Sequence, residues 1–369
     1  MRNYEPGLEN ILDSDIAYIK GRLTQELQKL SGRKLLFTGG GGFLGYMFLN
    51  MLSRLGNKNR EENLEITILE NFSRGKKSWL NKLLSKPNVK LIEHDISKKL
   101  PKELPDFDYI IHAASIASPM YYRKYPIETI DANVGGLRIL LDYAKQKHLQ
   151  NNSIEGMLFF STSEIYGDPT DNSIPTPETY KGNVSCTGPR ACYDESKRLG
   201  ETLCVNFAHQ YNLPITIARP FNNYGPGLDI NDKRIIPDIA KNILANKDIV
   251  LFSDGLATRT FCYVADAIIG YTKILINGRS GESYNIGTDK PEISMNELAE
   301  KLVSIGKEFL DYSGKIVYVK SSDKNYNTDN PQRRCPDLSK ARTELKYNPS
   351  ILLEDGLRKS LLWYKDNYL

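Results

Sequence analysis

Four consecutive glycines, Gly39 to Gly42, stand between a short apolar run, Lys34–Thr38, and a stretch that reads as a helix, Phe43–Leu55. Gly39, Gly42 and Gly45 occupy the glycine places of a GxxGxxG pattern, with Phe43 and Leu44 between the last two. Without a Cβ the chain can turn tightly there and come close to a pyrophosphate, whose charge the helix N-terminus favours. A glycine cluster alone is weak evidence, since tight turns use glycine with no ligand. Its place between strand and helix is what marks a dinucleotide loop.

The same strand, turn and helix alternation continues along the chain. Glu65–Leu69, Val89–His94, Tyr109–Ala113, Met157–Ser161 and Ile215–Ala218 read as further strands, and 127–147 and Tyr193–Tyr211 as helices. Such alternation implies an α/β fold, a doubly wound parallel sheet of the Rossmann type covered on both faces. Beyond Pro220 the texture becomes richer in Asn, Gly and Pro. The expected division is an N-terminal helical extension over 1–30, a dinucleotide-binding domain over 31–219 and a smaller, mostly C-terminal substrate lobe over 220–369. Residues 261–276 are expected to return to the first domain. In the extension, Asp13 or Ser14 could cap a helix whose Ile16, Ile19, Leu23, Leu27 and Leu30 recur at helical spacing.

Glu70 ends the second strand, with Asn71 after it. A carboxylate there can accept both ribose hydroxyls and repel a 2′-phosphate, which favours NAD over NADP. It follows Gly45 by 25 positions, more than the usual spacing of about 20; the polar stretch Gly56–Asn63 reads as the insertion responsible. Arg74, Lys76 and Lys77 keep NADP as the alternative. Asp95 and Ile96, after the third strand, would suit the adenine edge, unless Asp95 simply caps a turn.

Tyr193 and Lys197 are four apart, one helical turn, hence on one face. An ammonium beside a phenol lowers its pKa, so Tyr193 can serve as a base near neutral pH. A YxxxK pair is common and usually means nothing by itself. Here it follows the strand-end Ser161-Thr162-Ser163-Glu164 by about thirty residues, and Thr162 can complete a hydroxyl relay to a substrate oxygen. Lys197 can also reach the nicotinamide ribose.

The bulk numbers exclude several classes. With 49 Lys+Arg against 45 Asp+Glu, a net charge of +4 does not point to nucleic acid. The five cysteines are odd in number and show no CxxC spacing, and only four histidines are present. That argues against a metal site and a disulfide framework, and for a reducing compartment. No run approaches the roughly 18 apolar residues of a membrane span, and the N-terminus lacks a signal-peptide core. A cytoplasmic protein without a membrane partner is expected.

The glycine loop, His112-Ala113-Ala114-Ser115, Ser161–Gly167, YxxxK and Arg219-Pro220-Phe221-Asn222-Asn223-Tyr224-Gly225-Pro226 occur together and in this order. The chain thereby resembles the extended short-chain dehydrogenase/reductase family (the NAD-dependent epimerases and dehydratases) from about residue 33 to the end. Three segments look most like its UDP-glucuronate decarboxylase (UDP-xylose synthase) branch: Gly188–Arg198, Thr258–Val264 and Asp329–Asp337. The resemblance implies NAD held by the glycine loop and by Ala113, Ala114 and Ser115. It implies a UDP-sugar substrate and a homodimer formed through helices such as 127–147 and 193–211. It also places at Arg334 an arginine that meets a sugar carboxylate; otherwise Arg334 is a surface charge beside a turn. Ser118, Asn222, Arg234 and Arg259 are the further substrate-binding candidates, the last three for the nucleotide diphosphate, against the plain alternative of a loop-capping Asn and solvated arginines.

Departures from that branch are Tyr46, Glu70 and Ile116, where Ser, Asp and Pro are commoner. In sugar 4,6-dehydratases an Asp would stand at Ser163 to protonate a leaving hydroxyl. A serine cannot do this, so a dehydratase is disfavoured. Glu164, with a role in proton handling at C5, tilts the reading to decarboxylation of a UDP-linked uronic acid through a 4-keto intermediate. A 4-epimerase is the nearer alternative. A non-catalytic cofactor-binding scaffold is the one from another class, against which the intact Thr162, Tyr193 and Lys197 speak.

Overall fold

In the computed structural model, which describes residues 8–55, 63–319 and 331–368, seven short strands pair edge to edge. They are β1 (Lys34–Thr38), β2 (Glu65–Glu70), β3 (Val89–Glu93), β4 (Tyr109–His112), β5 (Gly156–Phe160), β6 (Ile215–Pro220) and β7 (Ser283–Ile286). Their order is β3-β2-β1-β4-β5-β6-β7, and every pairing is parallel. Side chains alternate between two cores. Leu35 and Phe37 face one and Leu36 the other; Leu158 and Phe160 face the first, Met157 and Phe159 the second. Burial of both faces explains the apolar runs of the central strands β1, β4 and β5, each buried Leu or Phe contributing about 1.5–3 kcal/mol.

The first face is covered by the helices Phe43–Leu52 and Val264–Asn277, the second by Leu137–Leu149 and Ala191–Tyr211. Strand order reverses between β1 and β4, which opens a crevice beyond their carboxyl ends. β7 joins the main sheet from late in the chain and is not among the strands expected from sequence; its mixed polar run Ser283-Tyr284-Asn285-Ile286 lacks the apolar signature of the central strands.

Two helices differ from expectation. The glycine-loop helix stops at Leu52 rather than Leu55, because Arg54 and Leu55 bond back three residues rather than four and tighten the last turn. The long helix expected over 127–147 is broken into Pro126–Ile130, a wide-turned segment Asp131–Gly136 and Leu137–Leu149. The wide segment contains Gly135 and Gly136, poor helix formers, and a Cβ on Gly136 would lie 2.8 Å from Ile96. Within it, buried Asn133 donates to Ser196 Oγ at 2.9 Å and ties this helix to Ala191–Tyr211.

At the N-terminus one helix runs Leu8–Arg22 and a second Thr24–Lys29. Asp13 and Ser14 therefore lie inside the first helix rather than capping it, and Asp13 pairs with Arg54. Ile16, Ile19, Leu23 and Leu30 are buried at the expected spacing. Asp15, fully buried, accepts hydrogen bonds from Tyr263 Oη (2.6 Å) and Lys359 Nζ (2.6 Å). Glu26 accepts from Lys273 (2.9 Å) and Asn277 (3.0 Å). These contacts bind the extension to the Val264–Asn277 helix and to the last helix, Leu353–Tyr368, which in turn brings Trp363 Nε1 to Tyr46 Oη at 3.4 Å. No described helix is long and apolar enough to cross a membrane, and the five cysteines are unpaired.

Beyond β6, three two-residue strands form a small sheet. Thr258–Arg259 pairs antiparallel with Ile293–Ser294 and parallel with Arg333–Arg334, which sets Arg334 directly beside Arg259. Of the segments singled out from sequence, Asp329-Asn330 and residues 56–62 lie outside the described residues.

Asp15→Ala should strand the Lys359 ammonium and the buried Tyr263 hydroxyl. The expected cost is about 3 kcal/mol, read as a lower urea midpoint with an unchanged slope.

Candidate active site

The glycine loop meets the carboxyl ends of β1, β2 and β4. Gly39 adopts φ +75°, and a Cβ there would sit 2.5 Å from the Ala114 backbone. A Cβ on Gly45 would lie 2.1 Å from the Gly40 carbonyl. Both glycines are thus required by close backbone approach. Gly42 differs: its Cβ would meet nothing nearer than 3.4 Å, and it caps the Phe43–Leu52 helix without a side-chain hydrogen bond. An open face above an uncapped helix N-terminus is suited to a pyrophosphate.

Glu70 stands beside this loop. Its Oε2 accepts from Gly41 N (2.8 Å) and its Oε1 from Asn71 N (3.0 Å) and Phe72 N (3.1 Å). A carboxylate offers about four lone-pair directions, so about one acceptor direction is left for a ribose hydroxyl. Of the cations that would suit a 2′-phosphate, Arg74 is engaged with Asp232 (3.2 Å) and the Tyr121 ring and Lys77 with Asp229, while Lys76 lies over the Phe72 ring at 5.4 Å. Asn71 closes a turn onto Ser73. Asp95 Oδ1 accepts from both the amide and the hydroxyl of Ser97, the turn-capping arrangement, and Ile96 is buried against Gly136. After β4, Ala113 bonds back to Thr38, Ala114 packs on Gly39, and Ser115 leaves a buried hydroxyl without a protein partner. The open Gly42 face, the Glu70 carboxylate and the orphaned Ser115 hydroxyl fit a dinucleotide such as NAD.

Thr162, Glu164, Tyr193 and Lys197 come together where β5 ends under the Ala191–Tyr211 helix. Thr162 caps the short turn Ser163–Tyr166, accepting from Glu164 N at 3.2 Å, and its hydroxyl is the polar neighbour that draws the Tyr193 phenol down. Tyr122 stacks on the Tyr193 ring at 5.0 Å. Burial pushes the phenol up from its ordinary value, while the Thr162 hydroxyl and the Arg234 charge draw it back. Lys197 donates to the Phe160 carbonyl at 2.7 Å and lies 5.9 Å from the Tyr193 ring centre; burial lowers its ammonium to about 7. The helical spacing therefore places the pair on one face as expected. Here, though, the strongest pull on the phenol comes from Thr162 and Arg234, because Lys197 is itself desolvated and turned to the strand end.

Glu164 is the centre of a partly buried ion cluster. Arg334 grips it with both terminal nitrogens, Nη1 to Oε1 and Nη2 to Oε2, each at 2.6 Å. Arg190 Nη2 donates to the same Oε2. Burial alone would raise this carboxyl, but the charges of Arg190 and Arg334 outweigh it and hold it at about 2. Behind Arg190, Asp194 Oδ2 lies 3.6 Å from its Nε; burial and the nearby Glu164 charge push Asp194 up to about 7. Arg259, beside Arg334, is held by the carbonyls of Thr258 (2.7 Å), Gln332 (3.0 Å) and Pro331, and burial and the Arg334 charge lower it to about 9. Arg190 and Asp194 escaped the sequence reading, although both lie one helical turn apart inside Gly188–Arg198.

The remaining candidates are more dispersed. Ser118 Oγ donates to the Asp232 carbonyl at 3.0 Å, and the Asp232 carboxylate binds both Arg74 and Arg234. Arg234 lies over the Phe43 ring, on the cofactor side, and influences Tyr193. Asn222, at φ +34°, donates to the Thr260 carbonyl at 3.0 Å.

This geometry agrees with what the chain is similar to. Residues 35–287 match the model of the NAD dependent epimerase/dehydratase family. UDP-glucuronic acid decarboxylase 3 of Arabidopsis thaliana is 36% identical over 324 residues, covering 88% of this chain and 86% of the relative. UDP-glucuronic acid decarboxylase 1 of Xenopus tropicalis is 33% identical, covering 92% and 74%. Among solved structures, UDP-glucuronic acid 4-epimerase from Bacillus cereus, in complex with UDP-glucuronic acid and NAD, superposes with a TM-score of 0.73 at 26% identity, covering 91% of this chain and all (100%) of that one. The chain therefore belongs to the NAD dependent epimerase/dehydratase family, with NAD as its cofactor.

Proposed function

We propose that the protein decarboxylates a UDP-linked uronic acid, converting a UDP-glucuronate type of substrate to a UDP-xylose type of product. The observation that carries this reading is the charge around Glu164. Arg190, Arg259 and Arg334 converge there against one firmly ionised carboxylate, Glu164, and one that titrates near neutrality, Asp194. An anionic sugar relieves that excess of buried positive charge; a neutral hexose does not. The decarboxylase relatives support the same substrate class.

Bound NAD supplies the hydride acceptor and later the donor, so the cofactor is regenerated. Tyr193, beside Thr162, takes the C4 hydroxyl proton as that carbon is oxidised. Arg334 orients the carboxylate, now β to the C4 ketone. The C5–C6 bond breaks, carbon dioxide leaves, and its electron pair passes into the enolate of the ketone. Glu164 assists delivery of a proton to C5, and Tyr193 returns its proton when the ketone is reduced. Lys197, anchored on Phe160 and close to Tyr193, holds the cofactor's ribose side. Gly39, Gly42 and Gly45 hold the pyrophosphate, and Glu70 the adenine ribose. Ser118 serves the substrate, and Asn222, Arg234 and Arg259 its nucleotide diphosphate. In this division residues 31–219 carry the cofactor and 220–369 most of the substrate side. A homodimer belongs to the same reading, since Ile127 (64% exposed), Ile130 (38%) and Leu199 (47%) lie on the neighbouring helices Pro126–Ile130 and Ala191–Tyr211. Five free thiols suit a cytoplasmic location.

A second reading, 4-epimerisation of the same uronate, is favoured by the likeness to the Bacillus cereus enzyme. It uses the same Thr162, Tyr193 and Lys197 but keeps the carboxylate.

Incubation with UDP-glucuronate and NAD, followed by mass spectrometry, separates the two. Loss of one carbon dioxide with no net NADH is expected; an isomer of unchanged mass would move the assignment to the epimerase. Tyr193→Phe should lower kcat by about 100-fold or more. Arg334→Gln should raise KM for UDP-glucuronate by about tenfold or more while leaving UDP binding little changed by calorimetry. Leu199→Glu should shift the protein towards monomer in light scattering, and an unaltered mass would remove these helices from the interface.

A further inference from the structure

The reading of Arg334 as the holder of a substrate carboxylate raises a physical difficulty. In this structure its paired terminal nitrogens are filled by Glu164, end to end, at 2.6 Å each. A uronate carboxylate has the same charge and the same planar shape as the Glu164 carboxylate. Whether it takes that edge or the side of the guanidinium bearing the buried, unpartnered Nε, it displaces Glu164 from Arg334 or shares the charge with it. Glu164 would then be left partly buried and short of a counter-ion, beside the incoming negative charge.

We infer that Arg190 is a positioning residue that retains and orients Glu164 while Arg334 turns to the substrate carboxylate. The geometry is already in place. Arg190 Nη2 binds Glu164 Oε2 in addition to Arg334, so release by Arg334 leaves one ion pair intact. Arg190 projects from the turn that begins the Ala191–Tyr211 helix, whereas Arg334 comes from the small sheet of the later lobe. The two cations can therefore separate without pulling on one backbone segment. Arg190 is also steadied from behind, its Nε facing Asp194 Oδ2 at 3.6 Å one helical turn on.

The exchange changes what Glu164 can do. Clamped by two guanidinium groups it is held at about 2 and so carries no proton to deliver to C5. With Arg334 drawn to the substrate, one of the two lowering charges weakens and Glu164 becomes more basic when the substrate arrives. The charged and titratable groups facing it are then Arg190, the shared Arg334, the more distant Arg259, Asp194, Tyr193 and Tyr122. Of these, Arg190 is the cation left in direct contact. It both aims the carboxylate and sets its basicity.

This inference rests on the decarboxylase reading, and the test keeps the two apart. The NAD-loaded wild type, Arg190→Gln and Arg190→Lys are compared for kcat, KM and the pH dependence of kcat with UDP-glucuronate. In Arg190→Gln, kcat should fall by about tenfold or more with KM within about threefold. Removal of a cation raises the pKa of an adjacent carboxyl, and Glu164 must hold a proton to deliver it to C5, so the alkaline limb of the kcat profile should move to higher pH. Arg190→Lys keeps the charge but loses the fork; its alkaline limb should stay in place while kcat is still lowered. A merely structural role would reduce the folded fraction without moving the limb. An unshifted limb in Arg190→Gln overturns the inference, and, if that variant does not fold, so does a wild-type kcat in Arg190→Lys. Failure of the wild type to release carbon dioxide from UDP-glucuronate would instead overturn the underlying reading.

Discussion

A parallel sheet buried on both faces is the constraint on which the rest of this molecule depends. Its interior admits almost only apolar side chains, so polar chemistry is driven to the carboxyl ends of the strands, and the reversal of order between β1 and β4 opens a crevice where loops from several strands converge. The glycine loop, the Glu70 end of β2, the Ala113–Ser115 turn and the Thr162–Glu164 turn all meet there because each directly follows a strand. Glycine at 39 and 45 is the local expression of the same crowding, since backbone, not side chain, fills the space beside them.

Against that apolar background the ion cluster around Glu164 stands out energetically. Three arginines and two carboxylates removed from bulk water are tolerated only because each is held by a charged partner or by backbone carbonyls. Such clusters do little for stability compared with a packed apolar core. Their value lies in holding charge in a defined geometry until a ligand rearranges it. The opposite displacements of Glu164 to about 2 and Asp194 to about 7 show how sharply neighbours can separate two carboxyl groups that both pair with Arg190.

The N-terminal extension and the last helix add a second layer of restraint. Buried Asp15 joins Tyr263 and Lys359, and Trp363 reaches Tyr46, the residue that follows Gly45. Tyr46, which as sequence was only a departure from the usual serine, acquires a packing role: it meets Trp79 and Trp363 edge to face. Segments far apart in the chain are thereby anchored to the helix that opens the phosphate loop.

From the sequence alone came the alternation of six strands with helices, the glycine loop, the acidic end of β2 and the Tyr193–Lys197 pair. These are local properties: period, turn chemistry and spacing of one helical turn are written in neighbouring residues. β7 was invisible because its run is polar and its strand character comes from pairing with β6. The break at Asp131–Gly136 was hidden because two glycines weaken a helix without saying where Ile96 will press on it. Arg190 and Asp194 carried no mark of their own, since a charged pair on a helix is usually a solvated face. Only the tertiary structure brought Arg190 from one helix and Arg334 from a distant two-residue strand onto a single carboxylate. Long-range burial, and not sequence spacing, decides which charges must find one another.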